Sequence, residues 1–122
     1  ITERTQHPKI KPERLTAQII EAAEQCERLD MPALHPAQKL KSITHSAPIY
    51  AGLERGESSF INTLEIKNDS AFLIGPVGGF TDDEIAFIRG HNNMQPFSLG
   101  ERVYRVETAA ILCLSYAALK NG

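Results

Sequence analysis

An α/β fold built on a mostly parallel sheet is what the sequence predicts, and three observations carry that reading. Short apolar runs end in two glycine-bearing turns, Gly75-Pro76-Val77-Gly78-Gly79 and Ser98-Leu99-Gly100. Each turn leads towards a well-marked helix, and strands alternating with helices in this way build parallel sheets. The run Ala71 to Gly75 lacks polar alternation, which is the pattern of a central parallel strand covered on both faces.

At 122 residues the chain has the size of one domain with a sizeable core. Its 42% apolar and 23% charged content is ordinary for a soluble globular protein. No apolar run approaches the roughly 18 residues of a membrane-spanning helix, and no signal peptide is visible, so a cytoplasmic location without membrane contact is expected. The formal charge of −2 argues against a domain that binds nucleic acid by bulk electrostatics. The charges are uneven, however. Glu21, Glu24, Glu27 and Asp30 make an acidic face, whereas Arg102 and Arg105 flank the second glycine turn. RNA affinity would therefore be local, or supplied by a partner, a second subunit or a further segment. Cys26 and Cys113 read as reduced core residues on two helices.

Ile1-Thr2 reads as the tail of a strand, and Thr5 to Pro12 as a loop, because Pro8 and Pro12 disfavour helix just before them. Pro12 and Glu13 suit the first turn of a helix over residues 12–29. Leu15, Ile19, Ala22, Cys26 and Leu29 form one apolar stripe along it, which predicts a helix packed on the sheet. Met31 to Pro36 is a brief strand or an extended connector, and residues 37–44 read as a short helix. Pro48 to Leu53 is a buried strand, Glu54 to Ser59 a polar loop, and Ile61 to Lys67 a short helix or an irregular connection. Asn68-Asp69 signals a turn before the strand at Ala71.

The best-signposted element follows. Thr81-Asp82-Asp83-Glu84 is a capping box, in which the threonine hydroxyl accepts from the third helical amide and the glutamate reaches back. Phe80 and Ile85 are spaced as a hydrophobic staple, and Gly90 is a natural stop. Pro96 to Leu99 is a short strand entering the second glycine turn, with Val103-Tyr104 in a tight loop. From Val106 the chain is apolar nearly all round, which predicts a last helix buried on several sides and shared between core and subunit interface.

Most catalytic templates are absent. No Gly-Lys-Ser/Thr follows GPVGG, and G-x-G-x-x-G does not occur. His7, His35, His45 and His91 are scattered and do not combine with the cysteines at ligand spacing, so no metal site is predicted. Without a G-x-S-x-G turn, Ser98 and Thr108 read as hydrogen-bonding residues rather than nucleophiles. The glycine turns are either structural punctuation or the backbone walls of a cofactor pocket, where the lack of a Cβ lets N–H and C=O groups approach a ligand.

Resemblance adds what spacing leaves open. IGPVGGFTDDEI (residues 74–85) followed by FSLGERVYRVETA (residues 97–109) closely resembles the paired signature of the bacterial uridine-N3 methyltransferases of small-subunit ribosomal RNA (RsmE-like), members of the knotted SPOUT superfamily. Ile1-Thr2-Glu3-Arg4-Thr5 is similar to that family's T-E-R-S segment, and Ile20 to Cys26 to its I-E-A-A-E-Q-S helix. The resemblance covers nearly the whole chain. It implies an α/β knot, with a deep C-terminal trefoil knot from about Pro48 to Gly122. It also implies that the family's PUA-like RNA-binding domain, and the first strand and helix of its catalytic domain, lie outside residues 1–122. The domain alone is then expected to be weakly active or inactive.

The family's chemistry is methyl transfer from S-adenosylmethionine to N3 of a uridine in 16S ribosomal RNA, by homodimers paired through the last helix. Carried over by position, Ile74, Gly75, Pro76, Gly78 and Gly79 would line the cofactor from one loop. Ser98, Leu99, Gly100 and Val103 would line it from the other, with Leu53-Glu54 as a third wall. Leu99 and Val103 would pack the adenine faces while backbone groups meet its edge. Arg105 is the residue expected to contact the target uridine, stabilising the charge that develops at N3. Arg102 would bind phosphate or the cofactor carboxylate. Glu107 and Thr108 would orient Arg105 or cap the last helix. Val77 replaces the family's usual glutamate, so two other readings stand beside the enzyme: a knot-fold module that binds RNA or nucleotide without methylating it, and a methyltransferase for another RNA.

Overall fold

The computed structural model describes residues 1–6, 9–54 and 56–122. His7, Pro8 and Arg55, which the expected loops and the histidine inventory include, lie outside the described residues. Among the described residues, β1 (Ile49–Gly52), β2 (Ser59–Phe60), β3 (Ala71–Leu73) and β4 (Met94–Ser98) form one sheet in the order β2-β4-β1-β3. Every pairing is parallel. The helices are α1 (Pro12–Gln25), α2 (Asp82–Gly90) and α3 (Val106–Asn121).

Strand order differs from expectation in one respect. β3 was expected at the centre but forms an edge, and the two interior positions belong to β4 and to β1, whose Ile49, Tyr50 and Ala51 are all buried. A continuous apolar run marks burial on two faces, yet says nothing about which neighbours bring it. Side chains alternate across β1. Ile49, Ala51 and Leu53 pack with Leu40, Phe80, Ile88 and Met94 on one face; Tyr50 packs with Ile61, Leu64, Ile66, Phe97 and Cys113 on the other. α2 therefore covers the first face and α3 the second, and the Tyr50 hydroxyl donates to the Glu65 carbonyl (2.8 Å) to fasten the segment after β2. Pro96 is tolerated inside β4 because β2 pairs only with Phe97 and Ser98, leaving the strand unpaired on that side at the proline.

α1 ends four residues earlier than its stripe predicts. The Glu27 N–H donates to the Glu24 carbonyl (3.1 Å) and Arg28 N–H to that of Ala23 (3.0 Å), with Glu27 at φ 54. That is a Schellman stop with a glutamate in the left-handed position usually held by glycine, hence invisible to a search for glycine. Ala23 is the buried residue of α1, with Leu15 and Ile19 half-buried; Ala22, Cys26 and Leu29 are exposed. Cys26 is thus a surface thiol rather than a core residue. Cys113 is fully buried, and burial pushes its thiol up to about 11.

Three smaller differences have local causes. The helix expected over residues 37–44 shrinks to a 3₁₀ turn, Leu40–Ser42, that inserts Leu40 into the core. Ile1 makes no strand, but its carbonyl accepts from Leu40 N–H (3.0 Å). The polar loop ends in β2, where Ser59 and Phe60 pair with β4 despite their exposure. α3 buries only Cys113 completely, and Ile111, Leu112, Leu114 and Leu119 face outwards in the single chain. No described helix is long and apolar enough to cross a membrane.

The α2 capping box forms as spaced: Thr81 Oγ1 accepts from Glu84 N–H (3.3 Å) and Glu84 Oε2 from Thr81 N–H (3.0 Å). Thr81→Ala is expected to cost about 0.5–2 kcal/mol of stability, read from urea midpoints at constant slope. A cost near zero would show that the hydroxyl is dispensable to the helix.

Candidate functional site

Parallel pairing puts the carboxyl ends of β1, β3 and β4 at one end of the sheet, where ligands bind in open α/β folds. Ala51 lies opposite Leu73, and Gly52 opposite Phe97. The next residues of all three strands consequently emerge together, and Leu53 N–H donates to the Phe97 carbonyl (2.9 Å) just where they part. A cavity of about 540 Å³ opens there, walled by Leu53-Glu54, by Ile74 to Phe80 apart from Pro76, and by Leu99-Gly100.

Two turns shape the walls. The Gly79 N–H donates to the Pro76 carbonyl (2.8 Å), and Gly79 sits at φ 70. Gly100 sits at φ 106, held by Ser98 Oγ, which accepts from the Gly100 N–H (3.0 Å). Both values are left-handed and favour glycine. The α2 N-terminus reaches the cavity through Asp82 and Ile85, and the α3 N-terminus through Val106 and Ala109. Amide dipoles at two helix starts therefore point partial positive charge towards it. Arg4 and Arg102 add cations, and Glu54 and Asp82 add carboxylates.

The fourth wall comes from the far end of the sequence. Glu84 is 2% exposed, a buried carboxylate that needs partners. Its Oε2 serves the capping box, while Oε1 accepts from Glu3 N–H (2.8 Å). That bond places Arg4 over the first glycine turn, where Nη1 donates to the Gly78 carbonyl (2.9 Å) and approaches that of Phe80 (3.4 Å).

Of the residues expected at the cofactor, Leu53, Ile74, Gly75, Gly78, Gly79, Leu99 and Gly100 share this cavity, and Glu54 and Arg102 join them. Pro76, Ser98 and Val103 do not line it. Pro76 and Ser98 close the two turns by hydrogen bonds, and Val103 is 65% exposed. Arg105 occupies the N-cap position of α3 without a side-chain capping bond, and Glu107 sits in the first turn, both exposed and outside the lining. Among the described residues neither Glu107 nor Thr108 bonds to Arg105 through its side chain, and no group of three or more potential metal ligands occurs. Sequence reasoning did not assign Arg4, Tyr104 or Asp82 to the site. The segment holding Arg4 was noticed only as a marker of resemblance, and its partner Gly78 is 74 residues away.

Comparison with known proteins agrees with the geometry. The family model described as an RNA methyltransferase domain matches residues 1–118. Ribosomal RNA small subunit methyltransferase E of Rickettsia conorii is 34% identical over 125 residues, covering 98% of this chain and 51% of that protein. The Legionella pneumophila protein Lpg2936, solved with the bound cofactor SAM, superposes with a TM-score of 0.79 at 35% identity, over 100% of this chain and 54% of that one. A Porphyromonas gingivalis crystal structure described as a "probable rRNA-methyltransferase" shares the fold at a TM-score of 0.81 and 24% identity, over 99% and 54% of the two chains. The chain thus spans about half the length of the relatives it matches. With the match running through every element that walls the cavity, the chain belongs to the RNA methyltransferase domain family.

Proposed function

We propose that this domain uses S-adenosylmethionine to methylate N3 of a uridine in small-subunit ribosomal RNA. The observation that carries the reading is the shared cavity of the two glycine turns at the ends of three parallel strands. The name of the Rickettsia protein and the SAM bound to Lpg2936 support it. The residues present suit the cofactor. At about 540 Å³ the cavity has the size of a small-ligand cleft. Leu53, Ile74 and Leu99 offer apolar surface, the turns offer backbone donors and acceptors, and charges of both signs suit a ligand with sulfonium, ammonium and carboxylate groups.

When bound, the cofactor supplies an electrophilic methyl group. The chain's own contribution is positioning: the walls at Gly75 to Gly79 and Leu99-Gly100 hold the donor, while the target base leaves its stack to reach it. Arg105, at the start of α3, stabilises the negative charge that builds on the uracil as N3 gives up its proton to water. Arg102, on the cavity rim, binds phosphate or the cofactor carboxylate. Glu107 favours the α3 N-terminus through the helix dipole, or orients Arg105 once RNA is bound. Such work takes place where ribosomes are assembled, in the cytoplasm.

We further infer that the chain is knotted and dimeric. Residues 61–70 cross from β2 at one edge to β3 at the other, on the face that α3 covers. Cys113 of α3 packs with Ile61, Leu64 and Ile66 of that crossing and with Tyr50 and Phe97 of the sheet, as a helix threaded beneath it would. The outer side of α3 leaves Ile111 63%, Leu114 64% and Leu119 85% exposed, a stripe that a second copy would cover.

Three measurements test these statements. Calorimetric titration of the domain with S-adenosylmethionine is expected to show binding, and a labelled-methyl assay on small-subunit RNA to show product, at a low rate for the domain by itself. No heat and no thermal shift would overturn the reading. Binding without transfer would favour the non-catalytic module, which Val77 in the cavity wall would suit, and transfer to another RNA would change the acceptor. Arg105→Ala is expected to lower turnover about 100-fold, as loss of a charge-stabilising donor does, with cofactor affinity within a few-fold; equal losses would reassign it to the cofactor. Leu114→Glu is expected to shift sedimentation from dimer to monomer, and an unchanged dimer would place the interface elsewhere.

A further inference from the structure

We propose that Arg4 is a positioning residue for the cofactor cavity, making residues 2–5 part of the site rather than a leader to it. The proposal rests on the S-adenosylmethionine reading for its ligand but on geometry for its mechanism. The first glycine turn is packed at its entry, where the Phe80 ring lies against Gly75, but has few internal restraints from its tip onwards. Its own bond is Gly79 N–H to the Pro76 carbonyl (2.8 Å), Val77 at its tip is 78% exposed, and a Cβ on Gly79 would meet nothing within 4 Å. A peptide so free samples other conformations unless something outside holds it.

Arg4 is that restraint. Its Nη1 donates to the Gly78 carbonyl at 2.9 Å and approaches the Phe80 carbonyl at 3.4 Å, bracketing the turn's exit. Its aliphatic stem lies so close that a Cβ on Gly78 would stand 3.3 Å from the Arg4 Cβ and 3.4 Å from its Cδ. The arginine is itself anchored. Glu3 N–H is held by the buried Glu84 (2.8 Å), and Thr2 and Thr5 close a local turn through Thr2 N–H to Thr5 Oγ1 (3.0 Å). The chain of contacts runs from the α2 capping box through Glu84 and Glu3 to Arg4, and back onto the turn just before that same helix. The guanidinium also lines the cavity. A charge-assisted bond to a carbonyl on the wall turns that carbonyl's dipole to a fixed direction before ligand arrives, which lowers the ordering cost of binding.

The test uses the 122-residue chain, with Arg4→Ala and Arg4→Lys beside wild type. In the absence of ligand, amide exchange of Gly79 is expected to accelerate at least tenfold in Arg4→Ala, while the Ile85 and Leu53 amides, bonded to Thr81 and Phe97, keep their rates. Calorimetric affinity for S-adenosylmethionine is expected to fall at least tenfold in the same variant. Arg4→Lys, which keeps a cationic donor, is expected to restore both within threefold. Unchanged Gly79 exchange in Arg4→Ala would overturn the proposal. So would acceleration spread equally to Ile85 and Leu53, or equal damage in both variants. Failure of wild type to bind S-adenosylmethionine would instead count against the functional reading, since the exchange measurement needs no ligand.

Discussion

Everything at the site depends on the parallel pairing of β1 with both of its neighbours. Because β1, β3 and β4 run the same way and in register, three chain exits leave the sheet side by side. In an antiparallel arrangement one of those exits would lie at the opposite end, and no common cavity would form. The pairing is itself held by burial: Ile49, Tyr50 and Ala51 are enclosed between α2 on one face and α3 on the other. Layers of helix on both faces of a parallel sheet are the arrangement that leaves only the strand ends open to a ligand.

A second constraint ties the start of the chain to that opening. Glu84 fills two roles with its two carboxylate oxygens, one closing the helix cap and one holding the Glu3 amide. A buried carboxylate is stabilising only when its lone pairs are occupied, and here backbone N–H groups occupy them from two directions. The consequence for the cavity is architectural. Strand ends supply three walls, and the segment fastened by Glu84 supplies the fourth, with Arg4 across the glycine turn.

Much of the fold was legible in the chain. The start of α2 could be read to the residue, because the capping box and the acidic first turn act between neighbours. The two glycine turns were equally plain, and six of the residues assigned to the pocket through the signature that spans them do meet there. Other features were not legible for identifiable reasons. α1 stops at a left-handed Glu27, a position that composition alone would never nominate. Val103 lies between two lining residues, Arg102 and Tyr104, yet is itself largely exposed and outside the lining. Arg105 and Glu107 lie at the helix start rather than in the lining, a placement that a motif cannot convey.

Caps, turns and the alternation of apolar runs with helices are settled between residues a few positions apart, so local order could be written down from the sequence. Strand order, the edge position of β3 and the identity of the fourth wall follow from burial and hydrogen bonding between segments dozens of residues apart. Those contacts exist only once the sheet has closed, because each is selected by what else competes to cover the same surface. The cavity belongs to that second class: its floor was readable in two turns, and its enclosure came from packing.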